Sequence, residues 1–250
     1  SDQVAALTTA QLQSFSTTQV QAIDTADVAA LTSTQVASLS TAELSGMTTA
    51  QVAALTSTQI KSVTTAALAG LSTAQVAGLT TGQVAALSTT QVSAMETADV
   101  AALGSTQTKA LSTTQVAALS TSQVQALSST GVSGLSADAI KGLSNNQLQA
   151  ITTAGVAAMT TTQVGALGTA QIAALTSSEA AALTTTQVQA LSTSQVAAFE
   201  VGDLSAMNTA QVAALTTTQV GALTAGQVSS LTTDQVAALT TAQVNVLSST

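Results

Sequence analysis

An eight-residue period runs along the whole chain and sharply limits what the chain can fold into. We letter each octad a to h, so that Thr48 is a and Leu55 is h. Large apolar residues recur at e from Val4 onward and at h from Leu7 onward. Only two residues, Thr108 and Ala180, interrupt the e series, and about 31 octads follow one another without an insertion. This pattern predicts one small structural unit repeated many times.

The period decides between possible conformations. On one continuous α-helix, eight residues turn by about 800°, so the apolar pair would rotate by about 80° with each octad and would not form a stripe. In a strand, e and h would lie on opposite faces because they are three residues apart. Within one short helix, the same spacing places e and h on one face. Each octad is therefore predicted to form its own short helix, roughly from b to h.

Positions a and d carry the signals for helix starts. Position a is nearly always Ser or Thr, which are preferred N-cap residues. Three residues later, d is usually Gln, so that each octad contains the S/T-x-x-Q form of a capping box. Position g is Ala, Gly or Ser in every octad before Val246, which predicts close contact between helices.

One octad cannot fold alone. Burying one Val and one Leu contributes roughly 3 to 6 kcal/mol, whereas ordering eight residues costs on the order of 8 to 16 kcal/mol of backbone entropy. We therefore predict an all-α solenoid of very short capped helices, with e and h facing inward and b, c and f facing outward. Residues 1–250 are expected to form one continuous solenoid without distinct capping repeats. A β-solenoid is the alternative, because the chain is rich in Thr and Val.

Composition argues against most kinds of chemistry. Three Lys and no Arg stand against 11 acidic residues, for a net charge of −8, so nucleic acid is not an expected partner. No run of 18 apolar residues exists, and no membrane insertion is expected. The chain has no His and no Cys, and its Ser and Thr residues are accounted for by caps and turns. We expect no enzymatic activity, no small-molecule substrate and no cofactor.

Calcium is the one ligand that the sequence suggests. Three octads carry carboxylates at both a and d, and oxygen ligands suit calcium. The alternative is that these acids only cap helices, since a helix N-terminus favours negative charge. The candidate residues are Asp24 with Asp27, Glu96 with Asp99, and Glu200 with Asp203. The three lysines, Lys61, Lys109 and Lys141, all fall at f, which marks f as a position that faces water.

The octad TTAQVAAL (48–55) follows the pattern T-T-x-Q-V-x-A-L, and STTQVAAL (112–119) follows it with Ser at the first position. This pattern resembles the octapeptide tracts of very large bacterial secreted or surface proteins, described as adhesins or extracellular matrix proteins. The resemblance implies a structural or adhesive role outside the cell or at its surface. We therefore predict an elongated stalk, or a filament that associates with itself end to end or side by side. Two alternatives are a spacer for a binding domain outside this chain and a regular Thr/Ser surface that binds a lattice such as ice.

Overall fold

The computed structural model describes residues 2–247, and these residues form 31 short α-helices joined by turns, with no strand among them. The prediction of an all-α solenoid with one helix per octad is confirmed, and the β-solenoid alternative is wrong. The chain divides into two compact units, Ser1–Leu135 and Ser136–Thr250. No helix in residues 2–247 is long and apolar enough to cross a bilayer, since the longest, α31, has seven residues.

The first unit contains 17 helices. They are α1 (Asp2–Ala5), α2 (Thr9–Gln13), α3 (Thr17–Gln21), α4 (Thr25–Ala30), α5 (Ser33–Ser38), α6 (Thr41–Gly46), α7 (Thr49–Ala54), α8 (Ser57–Ser62), α9 (Thr65–Ala69), α10 (Thr73–Ala77), α11 (Thr81–Ala86), α12 (Thr89–Ala94), α13 (Thr97–Ala102), α14 (Ser105–Ala110), α15 (Thr113–Ala117), α16 (Thr121–Ala126) and α17 (Ser129–Gly134).

The second unit contains 14 helices within its described residues. They are α18 (Ala137–Lys141), α19 (Asn145–Leu148), α20 (Thr153–Ala158), α21 (Thr161–Ala166), α22 (Thr169–Ala173), α23 (Ser177–Ala182), α24 (Thr185–Ala190), α25 (Thr193–Ala198), α26 (Val201–Ala206), α27 (Thr209–Ala213), α28 (Thr217–Val220), α29 (Ala225–Ser230), α30 (Thr233–Ala237) and α31 (Thr241–Leu247).

Most helices begin at a capping box, as octad 48–55 illustrates; α4, α9, α13, α17, α18 and α20, whose d residue is neither Gln nor Glu, do not. Thr48 is extended, with φ −70° and ψ 159°, and its side chain accepts a hydrogen bond from the Gln51 N–H at 3.2 Å. In return, Gln51 Oε1 accepts a hydrogen bond from the Thr48 N–H at 2.8 Å. Two backbone donors that a helix start leaves unpaired are thereby satisfied. The capping prediction is confirmed.

The helices before α31 end one to three residues earlier than predicted. Helix α7 stops at Ala54, and Leu55 at h is extended, with φ −60° and ψ 133°. The Leu55 N–H still closes a turn by donating to the carbonyl of Val52 at 3.2 Å. Two successive extended residues, h and the following a, turn the chain between one helix and the next, so h serves as the corner and cannot remain in the helix.

The apolar core follows the e and h series. From Leu12 to Val220, every e residue is at most 2% exposed, and h residues are similarly buried from Leu31 to Leu215. The two interruptions of the e series fit this core. Ala180 is fully buried, and the Thr108 hydroxyl donates to the Ser105 carbonyl of its own helix at 3.1 Å.

Position g is small because another part of the solenoid packs against it. A Cβ atom added to Gly46 would lie 2.8 Å from Cγ2 of Thr17, the b residue three octads earlier. The same addition at Gly134 would overlap the backbone of Ser105, again a b residue three octads earlier. The predicted close contact at g is confirmed at these two positions.

Candidate functional site

The glutamine at d joins an octad to another octad much earlier in the chain. Gln51 is 2% exposed, and its Nε2 donates to the backbone carbonyls of Val20 at 2.8 Å and Ile23 at 2.6 Å. These carbonyls belong to e and h of the octad four earlier. One side-chain amide therefore caps the start of its own helix and the end of an earlier one. We call this arrangement an amide bridge.

The amide bridge recurs throughout both units. In every bridge, the d amide donates to the h carbonyl 28 residues earlier, at 2.5 to 2.9 Å, the limits being Gln211 and Gln107. Bridges within single units are formed by Gln35, Gln51, Gln59, Gln75, Gln83, Gln91, Gln107, Gln115, Gln123, Gln171, Gln187, Gln195, Gln211, Gln219, Gln227, Gln235 and Gln243.

Glutamines at f make a second type of contact. Nε2 of Gln13, Gln21 and Gln149 donates to a g carbonyl 25 residues later, at 2.7, 2.8 and 2.5 Å respectively. Neighbours in space are therefore octads that are three or four apart in sequence. Within each unit, one turn of the solenoid, which we call a coil, comprises between three and four octads.

Charged residues occupy opposite ends of the helices. All 11 acids fall at a, c or d, around the helix N-termini, and all three lysines fall at f in the last helical turn. Acids near N-termini and bases near C-termini are favoured by the orientation of the peptide dipoles. The lysines are exposed, as predicted for f.

The three acidic pairs proposed as calcium ligands differ from one another. Asp24 caps its helix by accepting the Asp27 N–H at 2.8 Å, whereas the side chain of Glu96 caps nothing. Asp203 accepts hydrogen bonds from the Glu200 N–H at 3.2 Å and from a serine hydroxyl at 3.0 Å.

Within the part of the chain that the structure describes, no three acidic groups come close enough together to hold a metal ion. Calcium binding by the three pairs stays a prediction.

An acid at d disturbs the bridge. Where d is acidic, an oxygen stands in the place of the donor nitrogen, and three such oxygens are buried without a hydrogen-bond partner: Oε1 of Glu43, Oδ2 of Asp99 and Oε1 of Glu179. Burial raises the pKa of Asp99, and the charge of Glu96 raises it further. Burial also raises the pKa of Asp203, although hydrogen bonds from Ser177 and from the Glu200 backbone oppose the increase.

These raised pKa values predict how stability depends on pH. A carboxyl whose pKa is higher in the folded state binds its proton more tightly there, so its stabilising contribution is complete below the unfolded pKa of about 4 and is lost as pH rises through the folded value. Asparagine has no carboxyl group to titrate, so we expect the Asp99→Asn variant not to lose stability in this way as pH rises. Its free energy of unfolding should exceed that of the wild type at pH 7, and the two should converge near pH 4 in denaturant titrations.

Asp138→Asn is a suitable control, because Asp138 is an exposed acid at c. Parallel pH profiles for the wild type and Asp99→Asn would contradict the prediction.

At both ends of the described residues, groups that interior coils pair or cover are exposed. Gln11 and Gln19 are exposed at d, and neither donates its amide to an earlier carbonyl. At the other end, Val236 and Val244 at e are 47% and 44% exposed. Leu223, Val228 and Leu247 line a pocket in the same unit. One surface thus carries the donors of the amide bridge, and the other carries the apolar residues that such a coil normally covers.

Comparisons with known proteins bear on the repeat itself. A family model described as the ALTTAQ repeat matches residues 4–41, 33–65, 57–89, 92–129, 140–177, 156–193 and 196–233. Together these matches cover most of the chain, and each spans between four and five octads, which is more than one coil. No curated protein matches the sequence.

Proposed function

The chain belongs to the ALTTAQ repeat family, and from this premise we propose that it is a structural, non-enzymatic protein of the cell surface or extracellular space. Its role would be to provide length and to associate with further copies of itself end to end. The location rests on the resemblance of the octads to tracts of bacterial secreted and surface proteins. The self-association rests on the two complementary surfaces through which neighbouring coils stack.

The observation that carries the proposal is the complementarity of these two surfaces. In the interior of each unit, a coil presents d amides to the e and h carbonyls of its neighbour and covers the apolar e side chains. The first coil presents the same free amides, at Gln11 and Gln19. The last coil exposes the same apolar positions, at Val236 and Val244. A second copy stacked in the repeat register would form the contacts that already hold neighbouring coils together.

Such a contact joins two different surfaces of the same protein. Heterologous contacts of this type produce open, growing assemblies unless the rotation between copies closes a ring. A filament is therefore the assembly expected from this contact.

Sedimentation velocity over a range of concentrations tests the proposal. We expect the wild-type chain to form larger species as concentration rises, and the double variant Val236→Asp/Val244→Asp to associate at least about tenfold more weakly, because each substitution places a charge in the apolar contact. Val201→Asp is the matched control, since Val201 is 51% exposed but lies at b and not at an apolar e position.

The possible outcomes separate the alternatives. A wild-type chain that sediments as a monomer at every concentration would contradict self-association and would favour a spacer that holds a separate binding domain. Equal weakening by Val201→Asp would show that association does not use the apolar surface of the last coil.

A further inference from the structure

The d positions without glutamine are not scattered over the first unit. After the first coil they occur at Glu43, Ala67, Asp99 and Gly131, each three or four octads after the previous one. Three or four octads is the spacing of neighbours in adjacent coils. The four positions therefore follow one another from coil to coil, and we call this line the seam.

Contacts within the first unit support this arrangement. Helix α6, which carries Glu43, packs against α9, which carries Ala67. Gly131 lies beside the octad of Asp99, since a Cβ atom added to Gly131 would be 3.4 Å from the carbonyl oxygen of Leu103. In the amide bridges, each d residue faces the e and h residues of the octad four earlier in the sequence. By the same spacing, Asp99 faces the octad of Ala67.

No amide bridge crosses between coils at the seam. The N–H groups of Ala67 and Gly131 still donate to the side chain of the N-cap residue, at 3.2 and 3.1 Å respectively. Neither residue has a side-chain donor that could reach the adjacent coil. Glu43 and Asp99 place an unpartnered oxygen where the donor would be. Octads beside the seam retain the bridge, for example through Gln59 and Gln75.

The second unit contains a similar line. Gly155, Glu179 and Asp203 occupy d in α20, α23 and α26, and each of these helices packs against the next. Only one side-chain hydrogen bond between two of these helices is formed, from the Ser177 hydroxyl to Asp203 Oδ1 at 3.0 Å. The oxygen of Glu179 that replaces the donor has no partner.

We propose that the seam is a hinge, the side on which adjacent coils of each unit separate first. Elsewhere, coils are held by packed apolar residues together with amide bridges. At the seam the amide bridge is absent, and besides apolar packing there are only isolated hydroxyl hydrogen bonds, from Thr41 to the Ala66 carbonyl at 3.3 Å and from Ser177 to Asp203 at 3.0 Å. Local opening requires breaking only the contacts that cross the opening surface, so the side with fewer hydrogen bonds opens more often. This inference concerns the single chain and does not depend on self-association.

Native-state hydrogen exchange tests the hinge on the full chain at a concentration where it is monomeric. In the wild type, we expect amides in octads 32–39 and 64–71, which face each other across the seam at Ala67, to exchange about tenfold faster than those of octads 24–31 and 56–63 joined by Gln59. The Ala67→Gln variant adds a bridge at the seam and should slow exchange in octads 32–39 and 64–71 by about the same factor.

Two further variants make the result decisive. Gly131→Gln should slow exchange in octads 96–103 and 128–135 in the same way, which guards against a local packing problem at residue 67. Gln59→Ala, outside the seam, should accelerate exchange in its own octad and in 24–31. Uniform exchange across the first unit of the wild type, or unchanged exchange in both glutamine variants, would overturn the proposal.

Discussion

We expect the Gln83→Ala variant to lose roughly 3 to 6 kcal/mol of unfolding free energy, a large loss for a polar residue. Gln83 is 1% exposed and makes an amide bridge, donating to the carbonyls of Val52 and Leu55, both at 2.7 Å. Its Oε1 also accepts the Thr80 N–H at 2.8 Å. Truncation to alanine removes the side-chain partner of the Leu55 carbonyl and of the Thr80 N–H, leaves the Val52 carbonyl with only the Leu55 N–H, and leaves a cavity between two coils. Denaturant titration monitored by circular dichroism measures the loss.

Two controls divide this effect into its parts. Gln11→Ala removes a capping box at a d position that makes no bridge, so it should cost only about 1 kcal/mol. Gln83→Glu retains an acceptor for the Thr80 N–H but loses both donors, and its stability at pH 7 should fall between those of Gln83→Ala and the wild type. Equal losses for Gln83→Ala and Gln11→Ala would show that the amide bridge adds nothing to stability.

The second large effect is expected for Val84→Asp. Val84 occupies e and is completely buried, so the substitution places an unpaired carboxylate in the apolar centre of the coils. An uncompensated buried charge costs about 3 to 5 kcal/mol or more. We expect the octads around Val84 to unfold, with a loss of helical signal in far-ultraviolet circular dichroism.

The matched control for Val84→Asp is the same substitution at another e position. Val236 is 47% exposed, so Val236→Asp keeps its charge in water and should change stability by about 0.5 kcal/mol or less. If both variants lost helix to the same degree, the e series would not be the core of the solenoid.

Much of this architecture could be predicted from the sequence, because the signals are local. The capping box at Thr48 and Gln51 involves residues three apart, and the apolar pair Val52 and Leu55 shares one face of a single helix turn. Repetition then implied that all octads fold alike. The end of each helix was misplaced, since the geometry of the corner at Leu55 depends on the direction in which the next octad must leave.

The amide bridge was missed, because its partners lie 28 and 31 residues away and no local pattern connects them. A signal was nevertheless present. A capping box requires only an acceptor at d, which Glu supplies as well as Gln, yet Gln occupies 22 of the 31 d positions and Glu only two. The preference for an amide indicates that a donor is needed as well. The coil spacing and the seam depend on the same distant pairing and become visible only in three dimensions.

The spacing of neighbours also bears on how such a protein changes over generations. Each octad forms its contacts with octads three and four positions away, and almost every octad offers the same groups. If replication slippage removes or adds one octad, the remaining octads acquire new neighbours that present the same amides, carbonyls and small residues. Length is therefore a trait that can vary in single-octad steps without loss of the fold. The seam is the exception. Adding or removing one octad would shift the d positions without glutamine in one coil away from those in the next coil, and the proposed hinge would move.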